Sequence, residues 1–122
     1  MKYLKLFESN EFNFTEGDIR DIFTDFEDEG FKIFVKFGKR LHQFHEVDSK
    51  ITDQEIKLGF KLSIWVYLTS TEFNVKGLRD FMRTDKYLDL LNNVQFRLSH
   101  ENLYIKETDI TGNQINLLIY TR

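Results

Sequence analysis

The sequence predicts an α+β domain in which an antiparallel-rich sheet carries two helices on one face. Apolar residues recur with helical spacing over residues 15–29 and 74–93, and with a period of two in the segments that follow each of these. This order fits a ferredoxin-like (split βαβ) arrangement with an extra C-terminal strand, or two helix–hairpin units in succession. A length of 122 residues predicts one domain, 1–122, whose residues 1–14 form an N-terminal strand or a leader.

The first helix is predicted over residues 15–29. Thr15 and Asp18 fit a capping box, in which the N-cap and the third helical residue satisfy each other's backbone N–H groups. Gly30 is the expected stop, because glycine tolerates the left-handed conformation just past a helix end. The residues that share the apolar face are Ile19, Ile22, Phe23 and Phe26.

Two runs of period-two alternation predict one long β-hairpin, formed by residues 31–47 and 55–69. Its turn is expected at residues 51 and 52, so that directly opposed residue numbers add up to 103. In this register Phe37 opposes Val66 on the inner face. A slip by one residue would expose every apolar side chain, so both faces constrain the pairing together.

A second helical segment is expected over residues 74–93, with a break near residues 83–84. Residues 94–105 then predict a strand with a bulge near His100, and residues 111–119 predict a turn followed by the last strand. The residues that suggest a strand directly after the helix are Val94, Phe96 and Leu98.

Composition excludes several classes of protein. The absence of Cys excludes disulfides, thiolate zinc sites and thiol nucleophiles. The longest apolar run, Ile64–Leu68, is far shorter than the roughly 20 residues that span a bilayer. The scattered glycines form no phosphate-binding loop, and the serines lack a nucleophile-elbow context. We therefore expect a protein that is not an enzyme and that needs no cofactor, metal or membrane.

Charge is distributed unevenly along the chain, with net charges of −6 over residues 1–30, +3 over 31–69 and zero over 70–122. The acidic outer face of the first helix is one candidate docking surface. The stronger candidate is the outer face of the hairpin, where cations alternate with aromatic rings. The candidate binding residues are Lys32, Phe34, Lys36, Lys57, Lys61, Trp65 and Tyr67.

Rings and cations on one surface suit several ligands. Rings can stack on bases while cations meet phosphates, as in proteins that bind single strands. The same side chains can contact a protein or a small anionic ligand. Lysines and aromatic rings are also common on an ordinary solvated strand, or at a contact with a second copy of the chain.

The first eight residues, Met-Lys-Tyr-Leu-Lys-Leu-Phe-Glu, resemble the start of many small accessory proteins of large tailed bacteriophages. This resemblance implies a capsid-targeting leader that the prohead protease cuts after Leu6-Phe7-Glu8. A leader would compete with a strand at residues 2–7. The resemblance also implies location in the cytoplasm of a host bacterium, or in the virion.

Together these observations predict a phage-encoded, non-enzymatic binding protein. It would act on a host protein or a small anionic ligand through the aromatic and basic hairpin face. The alternatives are a virion-associated structural oligomer and a domain that binds single-stranded nucleic acid or nucleotides, the latter not favoured by a net charge of −3.

Overall fold

The computed structural model describes residues 15–41, 44–47 and 51–122, with the backbone alone for residues 44–47. The predicted strand or leader within residues 1–14 therefore lies outside the described residues.

The strands of the described residues form one five-stranded antiparallel sheet in the order β2-β1-β3-β5-β4. Their bounds are β1 Phe31–Leu41, β2 Phe44–Val47, β3 Lys61–Ser70, β4 Leu103–Thr111 and β5 Gln114–Thr121. The helices of the described residues are α1 Glu16–Ile22, α2 Thr24–Asp28, α3 Asp53–Lys57, α4 Val75–Phe81 and α5 Asp85–His100. The predicted α+β class, an antiparallel sheet with helices, is confirmed.

The core lies between one face of the sheet and the helices. Alternate residues of β1, β3 and β5 are buried there with apolar side chains of α1, α2, α4 and α5. Aromatic rings join these layers: the Phe73 and Phe81 rings stack with centroids 5.4 Å apart, and the Phe31 ring lies 5.6 Å from that of Phe81. The helices thus cover one face of the sheet, and we call the opposite face the outer face.

The predicted start and stop of the first helix are confirmed. The Thr15 N–H donates to the Asp18 carboxylate at 2.9 Å, and the Asp18 N–H donates to the Thr15 hydroxyl at 3.1 Å. Gly30 has a φ of +94°. The span predicted as one helix is divided at Phe23, where the N–H groups of Phe23 and Phe26 donate three residues back instead of four.

The predicted antiparallel pairing of β1 with β3 is confirmed, but the predicted register and the predicted connection between the two strands are wrong. Phe37 opposes Ile64, so opposed residue numbers add up to 101 instead of 103. The chain does not continue as one ladder to a turn at residues 51 and 52, because β2 folds back onto residues 38–41 and α3 follows it. A shift of two residues leaves each side chain on its predicted face.

The strand predicted after Asn93 is also wrong, since α5 continues to His100. Val94 and Leu98 lie one helical turn apart and are buried, whereas the side chain of Phe96 is 66% exposed. The irregularity expected near His100 occurs instead between Ile105 and Glu107 in β4. The predicted turn before the last strand is confirmed by Gly112, whose φ is +62°.

Candidate functional site

The outer face brings together six of the seven candidate binding residues. Strand β1 contributes alternate residues, and β3 contributes the residues that oppose or neighbour them. Lys36 opposes Trp65, and Phe34 opposes Tyr67. Phe34 is 51% exposed, while Trp65 and Tyr67 are half-buried. The six residues on this face are Lys32, Phe34, Lys36, Lys61, Trp65 and Tyr67.

Lys57 does not belong to this face, which corrects the prediction. It lies in the last turn of α3, where a cation interacts favourably with the helix dipole. In the predicted register, in which opposed residue numbers add up to 103, Glu46 would oppose Lys57; it opposes Lys39 in the β1–β2 ladder instead. The helix arises because Thr52 and Glu55 form a second capping box, and Gly59, with a φ of +100°, ends the turn that follows.

Strands β5 and β4 extend the outer face beyond the predicted hairpin. Trp65 opposes Leu118 of β5, which in turn opposes Glu107 of β4. In the neighbouring row of opposed residues across the strands, Tyr67 opposes Asn116, which in turn opposes Asp109. A trough of about 260 Å³ runs over β5 between these side chains. The residues that line this outer-face trough are Trp65, Tyr67, Glu107, Asp109, Asn116, Leu117 and Leu118.

The bulge in β4 determines which side chains form the far wall of the outer-face trough. Ile105 opposes Ile119, yet Glu107 opposes Leu118, so Lys106 is an extra residue without an opposed partner in β5. A regular ladder would place Lys106 beside Leu118 instead. The bulge therefore exchanges a cation for a carboxylate at this wall, a re-aiming effect that bulges commonly produce.

The floor of the outer-face trough is fixed by hydrogen bonds. The Asn116 side chain donates to the Thr111 hydroxyl at 2.8 Å and accepts from the Gln114 amide at 2.7 Å. These bonds hold the Asn116 amide in one orientation. The Asp109 carboxylate accepts from the Ile110 N–H at 2.8 Å. Glu107 and Asp109 remain exposed, and neither forms an ion pair with a cation of the described residues.

One end of the outer face is closed by contacts between cations and rings. The guanidinium carbon of Arg40 lies 3.7 Å from the centroid of the Tyr120 ring, and the Tyr104 ring meets Tyr120 edge-on at 6.1 Å. Tyr120 is 8% exposed, and this burial raises the pKa of its hydroxyl, which the positive charge of Arg40 partly offsets. The side chains of Arg40, Tyr104 and Tyr120 therefore contact one another at this end of the outer face.

The acidic helix, the other candidate docking surface, is partly neutralised by basic side chains. Lys86 lies 2.9 Å from the Glu29 carboxylate, and Arg97 lies 3.8 Å from that of Asp25. Arg97 also donates to the carbonyl of Ile22 at 3.4 Å and borders a shallow cleft of about 320 Å³ between α1 and the end of α5. The acidic face of this helical segment is therefore interrupted by positive charges.

Sequence reasoning missed the β4 and β5 side of the outer face. The alternation of Ile115, Leu117 and Ile119 was a usable signal, because it directs Asn116 and Leu118 to the opposite face. No comparable signal identified Glu107 and Asp109, whose direction depends on the position of the bulge.

Residues 15–41 and 51–122 contain no group of three His, Cys, Asp or Glu side chains that could hold a metal ion. None of the helices in the described part of the chain is long and apolar enough to cross a membrane. Comparisons of the chain with protein-family models, with curated proteins and with solved structures gave no match.

Proposed function

We propose that the chain is a non-enzymatic binding protein that recognises a protein partner through the outer face of its sheet. The observation that carries this proposal is the arrangement of charge around the rings. Lysines of β1 border the rings on one side, and carboxylates of β4 border them on the other. Protein interfaces have this anatomy, with Trp and Tyr at the centre and a polar rim.

The same arrangement favours a protein over an anionic ligand. Glu107 and Asp109 lie beside Trp65 and Tyr67, where their negative charge repels phosphate groups. Phe34, 51% exposed next to Tyr67, enlarges the apolar centre of the surface. The resemblance of residues 1–8 to bacteriophage proteins supports a host bacterial protein as the partner.

The test is capture of one reproducible partner from host lysate by the wild-type chain. In the double variant Phe34→Ala and Tyr67→Ala, we expect capture to be lost while the circular dichroism spectrum is unchanged. The matched control is Leu88→Ala with Phe96→Ala, which removes two exposed apolar side chains of α5 that are 49% and 66% exposed. Capture that survives the outer-face variant, or is lost equally in the control, would contradict the proposal.

A second copy of the chain is the second candidate partner, because the charge on the outer face is divided between two sides. If two outer faces meet about a two-fold axis parallel to the strands, the lysines of each copy face the carboxylates of the other. The variant Lys32→Glu with Lys36→Glu should then be monomeric in sedimentation experiments. Mixing it with Glu107→Lys and Asp109→Lys should restore the dimer. A wild-type chain that is monomeric at high concentration would exclude this candidate.

A further inference from the structure

We propose that the outer-face trough binds the guanidinium group of an arginine side chain presented by the partner protein. This inference rests on the proposed function and names the chemistry that the partner must supply. It depends on the two walls of the trough, which differ in kind: aromatic rings of β3 on one side and carboxylates of β4 on the other.

The aromatic wall suits a flat cation. Trp65 and Tyr67 are two residues apart on β3, so both side chains stand on the outer face and line the trough together. A guanidinium group is planar and weakly hydrated, and it stacks on aromatic rings better than an ammonium group does. The negative face of each ring attracts the positive charge.

The carboxylate wall supplies negative charge for the guanidinium group, at the same positions along the sheet as the two rings. Glu107 and Asp109 stand in the same cross-strand rows as Trp65 and Tyr67, separated from them by a single strand. A carboxylate accepts two parallel N–H bonds from a guanidinium group, which gives direction as well as attraction. The Ile110 N–H occupies part of the Asp109 carboxylate, which still has lone pairs to accept further bonds.

The size and floor of the trough also fit one long side chain. A volume of about 260 Å³ is near the lower limit of small-molecule pockets and admits an arginine side chain without a large ligand around it. Leu118 gives the floor an apolar surface for the methylene groups of that side chain. Asn116 is held by its own hydrogen bonds, so the floor is formed before binding.

Trp65 is the only tryptophan of the chain, so its fluorescence reports on the outer-face trough directly. The full chain would be titrated with a short acetylated and amidated peptide that contains one arginine between glycines. The same peptide with citrulline, a neutral analogue of nearly the same shape, serves as the control ligand. We expect a saturable change in emission with arginine, and at least ten-fold weaker binding with citrulline.

Two protein variants distinguish binding in the outer-face trough from a general effect of the protein's net charge. Glu107→Gln with Asp109→Asn should weaken binding of the arginine peptide at least ten-fold. The matched control is Glu27→Gln with Asp28→Asn, which changes the net charge equally at exposed positions of α2 and should leave binding unchanged. On addition of the arginine peptide, the amide chemical shifts of Asn116 and Leu118 should move in the wild type. They should not move in the Glu107→Gln with Asp109→Asn variant.

Several results would overturn the inference. These are equal binding of the two peptides, unchanged binding in the carboxylate-wall variant, or the absence of both a fluorescence and a chemical-shift response. Self-association that the carboxylate-wall variant abolishes would also overturn it, because the trough would then hold a second copy of the chain. If capture of the partner still requires Phe34 and Tyr67, the proposed function survives each of these failures.

Discussion

The guanidinium group of Arg40 lies over the ring of Tyr120, with its central carbon 3.7 Å from the ring centroid. The two residues belong to β1 and β5, which do not pair, because β3 runs between them. The contact is possible because the residues beneath it are small: Gly38 opposes Ser63, which opposes Tyr120. The side chains of β1 and β5 are therefore in contact across β3, which has the small side chain of Ser63 at this position.

We expect Arg40→Gln to lower the free energy of unfolding by about 1 to 2 kcal/mol, since a partly desolvated cation–π contact is lost. Urea unfolding followed by circular dichroism measures this change. The control is Lys61→Gln, which removes the exposed cation opposite Arg40 and should cost less than about 0.5 kcal/mol. If Arg40→Gln destabilises a Tyr120→Leu background just as much, the ring is not its partner.

Leu98 and Phe96 test the helical assignment of this segment. Leu98→Ala should lower the free energy of unfolding by about 2 to 5 kcal/mol, because it leaves a cavity under a fully buried side chain. Phe96→Ala should cost less than about 1 kcal/mol, because that side chain is mostly exposed. A strand would place both side chains on one face, so similar losses in the two variants would contradict α5.

Tyr87→Phe should raise the free energy of unfolding by about 1 kcal/mol at neutral pH. The Tyr87 hydroxyl is buried without a hydrogen-bond partner in the described part of the chain, so its removal relieves a desolvation cost. Urea unfolding of the variant beside the wild type provides the measurement, and a clear loss of stability would show that the hydroxyl is satisfied.

Tyr87 also gives an alkaline pH dependence. Burial raises the pKa of its hydroxyl above the ordinary value of 10.0, so the folded state holds this proton more tightly than the unfolded state. The stability from this difference is complete below pH 10.0 and is lost as the pH rises through the folded-state pKa. The decline should be smaller in Tyr87→Phe, and an equal decline in both proteins would exclude Tyr87 as its source.

Glu55 makes the stability of the fold depend on pH in the acid range, where stability is lost as the pH falls. The Lys39 ammonium group donates a hydrogen bond to the Glu55 carboxylate, and together with the Thr52 N–H it holds the pKa of Glu55 below 4.5. The resulting stability is present above pH 4.5 and is lost as the pH falls through the folded-state pKa.

Thermal unfolding between neutral and acid pH tests this prediction for Glu55. We expect Glu55→Gln to lower the melting temperature at neutral pH and to flatten the acid decline. Asp53→Asn, an exposed position of the same helix, should retain the decline of the wild type. A wild-type profile in the Glu55 variant would rule out this ion pair as a source of acid sensitivity.

Local signals predicted the parts of the fold that local chemistry determines. The capping box at Thr15 and the stop at Gly30 were read correctly from a few residues. The same type of signal, Thr52 followed by Glu55, was present before α3 but was overridden by the alternation of Ile56, Leu58 and Phe60. Short apolar runs do not separate a strand from a helical turn, whereas the capping pair would have done so.

The outer face was predictable only in part, for a physical reason. Phe34, Trp65 and Tyr67 follow from alternation within two strands, which the sequence displays directly. The carboxylate wall depends on three strands in register and on one extra residue in β4. A bulge is chosen by the pairing of whole strands, so no short pattern identifies its position.

Among the described strands, β4 lies at one end of the sheet order, and this position has a further consequence. Unprotected edge strands are templates on which other chains add strands and aggregate. The bulge at Lys106 interrupts the regular repeat of backbone groups, and the exposed charges of Glu107 and Asp109 lie directly C-terminal to it. The same irregularity that forms the carboxylate wall therefore also discourages fibril growth from this edge.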